Sequence, residues 1–255
     1  MNVKIIGGHG GVSPECRATS YLVDGNLLID AGSVATGVSV SDQAKIDNIL
    51  ISHSHLDHIS DLAFLADNCF GMNDKPFDIW TCKEVEDNIM NHLFNDAIWP
   101  DFTKLPSKES PTMKFHNIES GDSREIGEYK VHAIEVNHFA GSLGFIIEKN
   151  GKAIVFTQDT GPTDKIWTAA KKLNNVVAIF CEVSFPNRFE KLALDSRHHT
   201  AQTLKKELSK MPGDVPIYLG HLKPNYLDEL SKEIEEVNES GRIHILSSDN
   251  KEFSF

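Results

Sequence analysis

A cluster of histidines follows a short apolar run near residue 50. The segment ISHSHLDHIS, residues 51–60, contains His53, His55, Asp57 and His58. Neutral imidazole and carboxylate are ligands that zinc, manganese and iron all accept. A polar loop that happens to be rich in histidine would have the same composition. The segment alone therefore leaves two interpretations open, a metal site and a polar loop.

Three later strands also end in residues that can bind a metal. His138 follows AIEVN, Asp159 follows AIVFTQ, and His221 follows VPIYLG. A lone histidine or aspartate at a strand end is more often a cap or a hydrogen-bonded polar residue than a ligand. The repeated pattern of an apolar strand followed by a ligand instead predicts that these residues converge on one edge of the fold.

The spacing within the cluster predicts two divalent ions. A turn through H-x-H-x-D-H can direct its first two histidines at one ion while the aspartate and last histidine reach a second. We expect zinc, and manganese or iron would also suit these ligands. The predicted ligands are His53, His55 and His138 for the first ion, Asp57, His58 and His221 for the second, and Asp159 as the bridge.

The charge of the chain restricts its partners. It contains 25 lysine and arginine residues against 37 aspartate and glutamate residues, a formal net charge of −12. Because affinity for a long nucleic acid rests mainly on basic side chains, such a partner is not expected. A small anion held by a local positive charge is compatible with this composition. With no signal-peptide segment and no run of about 20 apolar residues, we expect a cytoplasmic protein with no membrane partner.

The hydrophobic periodicity predicts an α/β fold. Two strand-rich halves each end in helices, with strands such as NILISH and VPIYLGH and amphipathic helices such as ISDLAFLADNCF and TAQTLKKELSKM. A further helix is predicted around residues 42–48. This order predicts an αββα sandwich, in which two mixed β-sheets face each other and helices cover their outer surfaces. We expect a single domain over residues 1–255, with an insertion or lid at 67–113.

The motif HSHLDH, followed in order by His138, Asp159 and His221, resembles the metallo-β-lactamase superfamily of dinuclear hydrolases. The similarity covers nearly the whole chain and begins with TSYLVDGNLLIDAG, whose Asp30 matches an aspartate of the superfamily's first hairpin. The resemblance implies the αββα fold and a metal-dependent hydrolase. His55 stands where the oxygen-reducing di-iron members usually have glutamate, which favours hydrolysis over redox chemistry.

Two phosphodiesterase branches of that superfamily resemble this chain further. EVSFPN and SRHHTAQTL are similar to segments of the tRNA 3′-processing endonucleases and of the class II cyclic-nucleotide phosphodiesterases. HSHLDHIS, DTGPTD and GHLKP are closer to the class II branch, and the long basic arm of the tRNA enzymes has no counterpart. The resemblance implies a small anionic substrate, a 3′,5′-cyclic nucleotide, without distinguishing cAMP from cGMP or from 2′,3′-cyclic substrates. It also allows a homodimer.

The resemblance assigns catalytic roles as well. A hydroxide activated by the two ions would attack phosphorus, with Asp57 orienting this nucleophile. Glu182 would orient His198, which would protonate the leaving 3′ oxygen. A second histidine, His199, follows directly, so either histidine can be the proton donor. The predicted substrate contacts are Ser142, Gly144 and His199.

Other functions are compatible with the same motifs. Hydrolases of this fold that act on thioesters, lactones or sulfate esters would share the metal ligands, and so would a tRNA 3′-processing endonuclease. A binding module without catalytic activity is a further alternative. The complete ligand set argues against that module, because buried ligand side chains would be costly to leave without a metal.

Overall fold

The computed structural model describes residues 1–72, 75–246 and 251–255. The strands are β1 (Asn2–Gly7), β2 (Ser20–Val23), β3 (Leu27–Ile29), β4 (Asn48–Leu50), β5 (Phe77–Thr81), β6 (Met113–Asn117), β7 (Ser123–Ile126), β8 (Tyr129–Glu135), β9 (Leu143–Lys149), β10 (Lys152–Phe156), β11 (Val176–Glu182), β12 (Ile217–Gly220), β13 (Ile243–Ile245) and β14 (Lys251–Ser254). The α-helices are α1 (Val34–Gly37), α2 (Val40–Gln43), α3 (Leu56–Ile59), α4 (Leu62–Asn68), α5 (Lys83–His92), α6 (Lys165–Lys171), α7 (Glu190–Asp195), α8 (Ala201–Glu207) and α9 (Leu227–Val237).

Within the described residues these strands form two seven-stranded sheets, each with one antiparallel half and one parallel half. The first sheet has the order β14-β1-β2-β3-β4-β5-β6, and the second has the order β13-β12-β11-β10-β9-β8-β7. In the first sheet, β14 to β3 pair antiparallel and β3 to β6 pair parallel. In the second, β7 to β10 pair antiparallel and β10 to β13 pair parallel. Both sheets are therefore mixed, as predicted.

The side chains of β10 show why the sheets are layered. Ile154 and Phe156 belong to the core between the two sheets, whereas Ala153 and Val155 belong to a second core. That second core also contains Trp167 of α6 and other apolar residues of α6, α8 and α9. Because alternate residues of a strand point to opposite faces, one apolar strand serves both layers. The predicted αββα sandwich is confirmed by this arrangement.

Two segments of the first half refine the predictions. The helix predicted around 42–48 was too long, because α2 ends at Gln43 and the backbone N–H groups of Asp47 and Asn48 both donate to the carbonyl of Asn26. The insertion or lid at 67–113 remains a prediction, and its residues 73 and 74 lie outside the described ranges. Within it, β5 pairs with β4 and β6 and so belongs to the sheet itself.

The parallel pairs place the carboxyl ends of several strands at one edge. In the first sheet, β3 and β4 end there, and in the second sheet β10, β11 and β12 end there. Strand β8 is antiparallel to β9, which is antiparallel to β10, so β8 also ends at this edge. Loops after these strands therefore meet, although they are distant in sequence. None of the helices in the described ranges is long and apolar enough to span a membrane.

Candidate active site

Four imidazoles surround the buried carboxylate of Asp159, which lies in the loop after β10. The Nε2 atom of His221 lies 3.1 Å from Oδ2, and that of His58 lies 3.3 Å from Oδ1. The Nε2 atoms of His53 and His138 lie 3.6 Å and 3.8 Å from Oδ2. A carboxylate with imidazoles beside both of its oxygens has the position expected of a ligand that bridges two ions.

His55 and Asp57 complete the two groups of ligands at the more open side. Nδ1 of His55 lies 3.3 Å from Nε2 of His138, and Oδ2 of Asp57 lies 3.2 Å from Nε2 of His221. His55 is the N-cap residue of α3, so the helix starts within the motif and turns its next residues toward the cluster. Three groups of potential metal ligands result, namely His53, His55, His138 and Asp159, then Asp57, His58 and His221, and a third formed by Asp159, His198 and His221. The first two groups are those predicted from the sequence.

Hydrogen bonds to Nδ1 fix the orientation of four of the imidazoles. Nδ1 of His53 lies 2.9 Å from Ser52 Oγ, and Nδ1 of His58 lies 2.6 Å from Asp30 Oδ2. His138 donates from Nδ1 to the carbonyl of Arg197 at 3.1 Å, and His221 donates from Nδ1 to the hydroxyl of Ser184 at 2.8 Å. In each case Nε2 is the ring nitrogen that lies nearer Asp159. Such outer partners are typical of metal-binding histidines. 

Asp30 organises one wall of the site from beneath. Its carboxylate accepts hydrogen bonds from the backbone N–H of Ser52 at 2.8 Å and from the Ser52 hydroxyl at 2.7 Å. It also accepts from His58 and from the side-chain amide of Gln158. Asp30 is fully buried at the end of β3, so these donors offset the cost of burying its charge.

The buried atoms of the cluster fit divalent metal ions. Within the described part of the chain, Nε2 of His53, Nε2 of His58 and Oδ1 of Asp159 are buried without a hydrogen-bond partner. Buried polar atoms are normally paired, and three unpaired atoms facing one centre are the donors that a metal would use. Burial and the neighbouring His58 hold the pKa of His53 well below its ordinary value, and burial lowers the pKa of His138 to about 4. Both imidazoles are therefore neutral near pH 7, the form that binds metal.

A second pair of residues lies against this cluster. Nδ1 of His198 lies 2.8 Å from Oε1 of Glu182, the last residue of β11, and both side chains are buried. Burial opposes ionisation of both, but their contact outweighs it, so the pKa of Glu182 is lowered and that of His198 is raised. The His198 ring lies 4.9 Å from that of His138 and 5.3 Å from that of His221, centre to centre. An imidazole whose pKa is raised is thus held beside the predicted metal ligands.

Ser184 connects this pair to the metal ligands. Its hydroxyl donates to Oε2 of Glu182 at 2.8 Å and accepts from Nδ1 of His221 at 2.8 Å. It also lies 3.2 Å from Nδ1 of His198. One hydroxyl therefore sets the positions of a predicted ligand and of the carboxylate that orients His198.

The structure separates the two adjacent histidines. His199 is fully buried, and its Nδ1 lies 3.1 Å from the hydroxyl of Thr203 at the start of α8. The hydrogen bond to Glu182 is made by the adjacent His198. The His199 ring lies in the protein interior, and the substrate contact predicted for it remains a prediction. Thr200 caps α8 through a reciprocal pair of hydrogen bonds with Thr203.

The other two predicted substrate contacts lie on the loop after β8 and in β9. Ser142 is 1% exposed, and within the described ranges its hydroxyl is buried without a partner. Gly144 lies inside β9, where an added Cβ would come within 2.7 Å of Ile166 and 3.0 Å of Val136. Core packing is a sufficient reason for glycine at this position, and the substrate contact predicted for Gly144 stays a prediction. The contact predicted for Ser142 remains a prediction.

Close backbone packing supports His221. Its backbone N–H donates to the carbonyl of Gly8 at 2.6 Å, and its φ of 60° lies in the left-handed region, which is unusual for histidine. A Cβ on Gly10 would lie 2.7 Å from the His221 ring. The glycine loop after β1 therefore leaves room for a metal ligand. Strained non-glycine residues also occur at Asp30, Gln158 and Arg197, as is common at functional sites.

The αββα fold and this set of side chains define a metal-dependent hydrolase of the metallo-β-lactamase fold. Residues 26–221 match the family model described as the beta-lactamase superfamily domain, and the chain belongs to that family. The crystal structure of the metallo-β-lactamase fold protein YhfI from Bacillus subtilis superposes with a TM-score of 0.76 at 20% identity and covers 99% of both chains. The family membership and fold predicted from the motifs are confirmed.

Two relatives carry different functional names. A probable 3′,5′-cyclic-nucleotide phosphodiesterase of Yersinia pestis is 26% identical over 278 residues, covering 89% of this chain and 79% of that protein. A ribonuclease Z of Methanococcus maripaludis is 27% identical over 311 residues, covering 98% of this chain and 97% of that protein. The first name specifies a cyclic-nucleotide phosphodiesterase and the second a ribonuclease.

Proposed function

We propose that the protein is a phosphodiesterase that uses two divalent ions to hydrolyse 3′,5′-cyclic nucleotides. The observation that carries this proposal is the buried Glu182–His198 pair beside the ligand cluster. Hydrolysis of a phosphodiester expels an alkoxide, which is a poor leaving group and needs a proton. The name of the Yersinia pestis relative supports the same substrate class.

The ligands described above would hold the two ions, with zinc as the expected metal and manganese or iron as alternatives. Such ions, when bound, lower the pKa of water and neutralise charge on a phosphate oxygen. Asp57 is the accessible carboxylate of the cluster, with a side chain 25% exposed against 2% for Asp159. Asp57 therefore orients the attacking water, while Asp159 serves as a ligand.

His198 supplies the proton in this mechanism. With Nδ1 hydrogen bonded to Glu182, Nε2 is the nitrogen that can donate. Oxygen from water forms a bond to phosphorus, the bond from phosphorus to the 3′ oxygen breaks, and that oxygen takes the proton of His198. The proton lost by the water passes to solvent, from which His198 is protonated again. The product is the 5′-nucleotide.

The net charge of the chain favours a small substrate. The chain has a formal net charge of −12, so a long polyanion would be repelled by most of its surface. A cyclic nucleotide places a single negative charge at the cluster. The ribonuclease Z relative, which covers nearly the whole chain, supports tRNA 3′-processing as the second candidate function.

A panel of substrates separates these candidates. Metal-reconstituted protein would be assayed with 3′,5′-cAMP, 3′,5′-cGMP, 2′,3′-cAMP, a precursor tRNA, a thioester and a lactone, with Asp159→Ala as the inactive control. We expect the highest kcat/KM on a 3′,5′-cyclic nucleotide. Higher kcat/KM on precursor tRNA would establish the second candidate, and activity confined to the thioester or lactone would exclude both.

A further inference from the structure

One aromatic side chain at the open side of the site has no role in the mechanism above. Phe139 follows the predicted ligand His138 directly, and its side chain is 52% exposed. Its ring centre lies 4.8 Å from those of both His55 and His138, in edge-to-face contacts. An exposed aromatic ring is therefore held against the predicted ligands of the first ion.

A guanidinium group lies beside this ring. The Arg197 guanidinium carbon is 5.8 Å from the centre of the Phe139 ring, and the group donates a hydrogen bond to the backbone carbonyl of His138. The Arg197 carbonyl in turn accepts from Nδ1 of His138. Both ends of Arg197 are thus tied to the residue before Phe139. Arg197 also precedes His198, so the guanidinium and the proton donor belong to one short segment.

We propose that Phe139 and Arg197 form a subsite for the base of a nucleotide substrate, a role that rests on the proposed function. A base has a planar face that stacks on an aromatic ring, and guanidinium groups both stack on bases and donate to their acceptor atoms. Phosphate held at the cluster would leave the base next to this ring, because the ring contacts His55 and His138. A substrate without a planar group gains nothing from this pair.

The site has a second aromatic candidate on its other side. The Phe185 ring lies 5.8 Å from that of His198, and the ammonium of Lys223 is 6.0 Å from the Phe185 ring centre. The Phe185 residue has intermediate exposure. The Lys223 ammonium donates a hydrogen bond to the backbone carbonyl of Gly10 at 2.7 Å. We assign the base to Phe139 because its ring is the more accessible one. Phe185→Ala then tests the assignment.

The test measures binding rather than turnover. 5′-AMP and ribose 5-phosphate carry the same sugar and phosphate, and only the first has a base. Their dissociation constants would be measured by calorimetry on metal-reconstituted protein for the wild type, Phe139→Ala, Phe139→Trp and Phe185→Ala. Phe64→Ala is the matched control, because Phe64 is 50% exposed and packs edge-to-face on Trp99. Metal content is measured for each variant.

We expect the wild type to bind 5′-AMP more tightly than ribose 5-phosphate. Phe139→Ala should weaken the binding of 5′-AMP by roughly 5- to 150-fold relative to the binding of ribose 5-phosphate. This range is the usual contribution of stacking by one base. Phe139→Trp should retain the preference, because it keeps an aromatic face. Phe64→Ala and Phe185→Ala should also retain it.

Each of the following results would overturn the subsite. The wild type binds 5′-AMP and ribose 5-phosphate equally, or the preference for 5′-AMP survives in Phe139→Ala, or that preference is lost in Phe185→Ala instead. Equal weakening of both ligands by Phe139→Ala, with metal retained, would place Phe139 at the phosphate and also reject the proposal. If the protein hydrolyses no cyclic nucleotide but loses base-dependent binding in Phe139→Ala, the proposed function fails and the subsite stands.

Discussion

Nδ1 of His198 lies 2.8 Å from Oε1 of Glu182, and neither side chain is more than 9% exposed. Burial opposes ionisation of the imidazole, but the carboxylate outweighs it and raises the pKa of His198. Nε2 is the ring nitrogen left outside this contact. Because the pair lies beside the predicted metal ligands, the proposed mechanism combines proton donation with metal-assisted attack. The contact is also the reason for proposing His198, rather than the neighbouring His199, as the proton donor.

Removal of His198 should affect substrates according to their leaving groups. We predict that His198→Ala retains its metal ions, while kcat on a 3′,5′-cyclic nucleotide falls by roughly 10²- to 10⁴-fold. The loss should be smaller for bis(p-nitrophenyl) phosphate, because p-nitrophenolate leaves without a proton. Glu182→Gln should show a milder form of the same pattern. If His198→Ala loses kcat equally on both substrates, His198 is not the proton donor.

Removal of Asp159 should be the most damaging change among the ligands. Its two carboxylate oxygens lie beside imidazoles of both predicted ion sites, so Asp159→Ala affects both ions. We predict about two divalent ions per chain in the wild type and a greater loss of metal in Asp159→Ala than in His53→Ala or His221→Ala. Elemental analysis of the dialysed proteins measures this. One ion or none in active wild-type protein would contradict the dinuclear site.

The hydroxyl of Ser184 should affect metal affinity, although Ser184 is not one of the predicted metal ligands. Ser184→Ala removes the acceptor for Nδ1 of His221, which should lower metal affinity by about 10- to 100-fold. Ser52→Ala is the matched change on the other wall, where it removes the partner of His53. Metal titration in the presence of a competing chelator would compare the two. Unchanged affinity in Ser184→Ala would show that His221 needs no such support.

Two glycines of one loop provide a stringent packing test. A Cβ on Gly10 would lie 2.7 Å from the His221 ring, whereas a Cβ on Gly8 would meet Leu246 at 3.4 Å, an ordinary contact. We predict that Gly10→Ala loses metal and most of its activity, and that Gly8→Ala retains both. Thermal unfolding of both proteins serves as the folding control. Similar metal content in the two variants would mean that the loop moves freely away from His221.

The sequence was most informative where apolar strands end in ligands. His53, His138, Asp159 and His221 could be related from sequence because parallel strands bring their carboxyl ends to one edge. The polar strand β7 was missed because three of its four residues are exposed and show no apolar alternation. The edge strand β14 was missed for a similar reason, because its residues are mostly exposed.

The supporting residues were harder to predict than the ligands. Ser52 and Ser184 act through single hydroxyl groups, and no spacing distinguishes such serines from surface ones. The choice between His198 and His199 depends on burial and on the turn before α8, which adjacent identical residues cannot reveal. Gly144 shows a related difficulty, because a glycine required by core packing has the same sequence signal as one that admits a phosphate.

The most direct measurement is the identity of the product. Metal-reconstituted protein would be incubated with 3′,5′-cAMP and with 3′,5′-cGMP in water enriched in oxygen-18. The products would be separated by chromatography, and their masses would be measured by mass spectrometry. We predict 5′-AMP and 5′-GMP, each with one oxygen-18 in its phosphate, because water attacks phosphorus and the 3′ oxygen leaves. A 3′-nucleotide product would contradict the assigned leaving group. No turnover of either nucleotide by a preparation that cleaves precursor tRNA, a thioester or a lactone would contradict the proposed function.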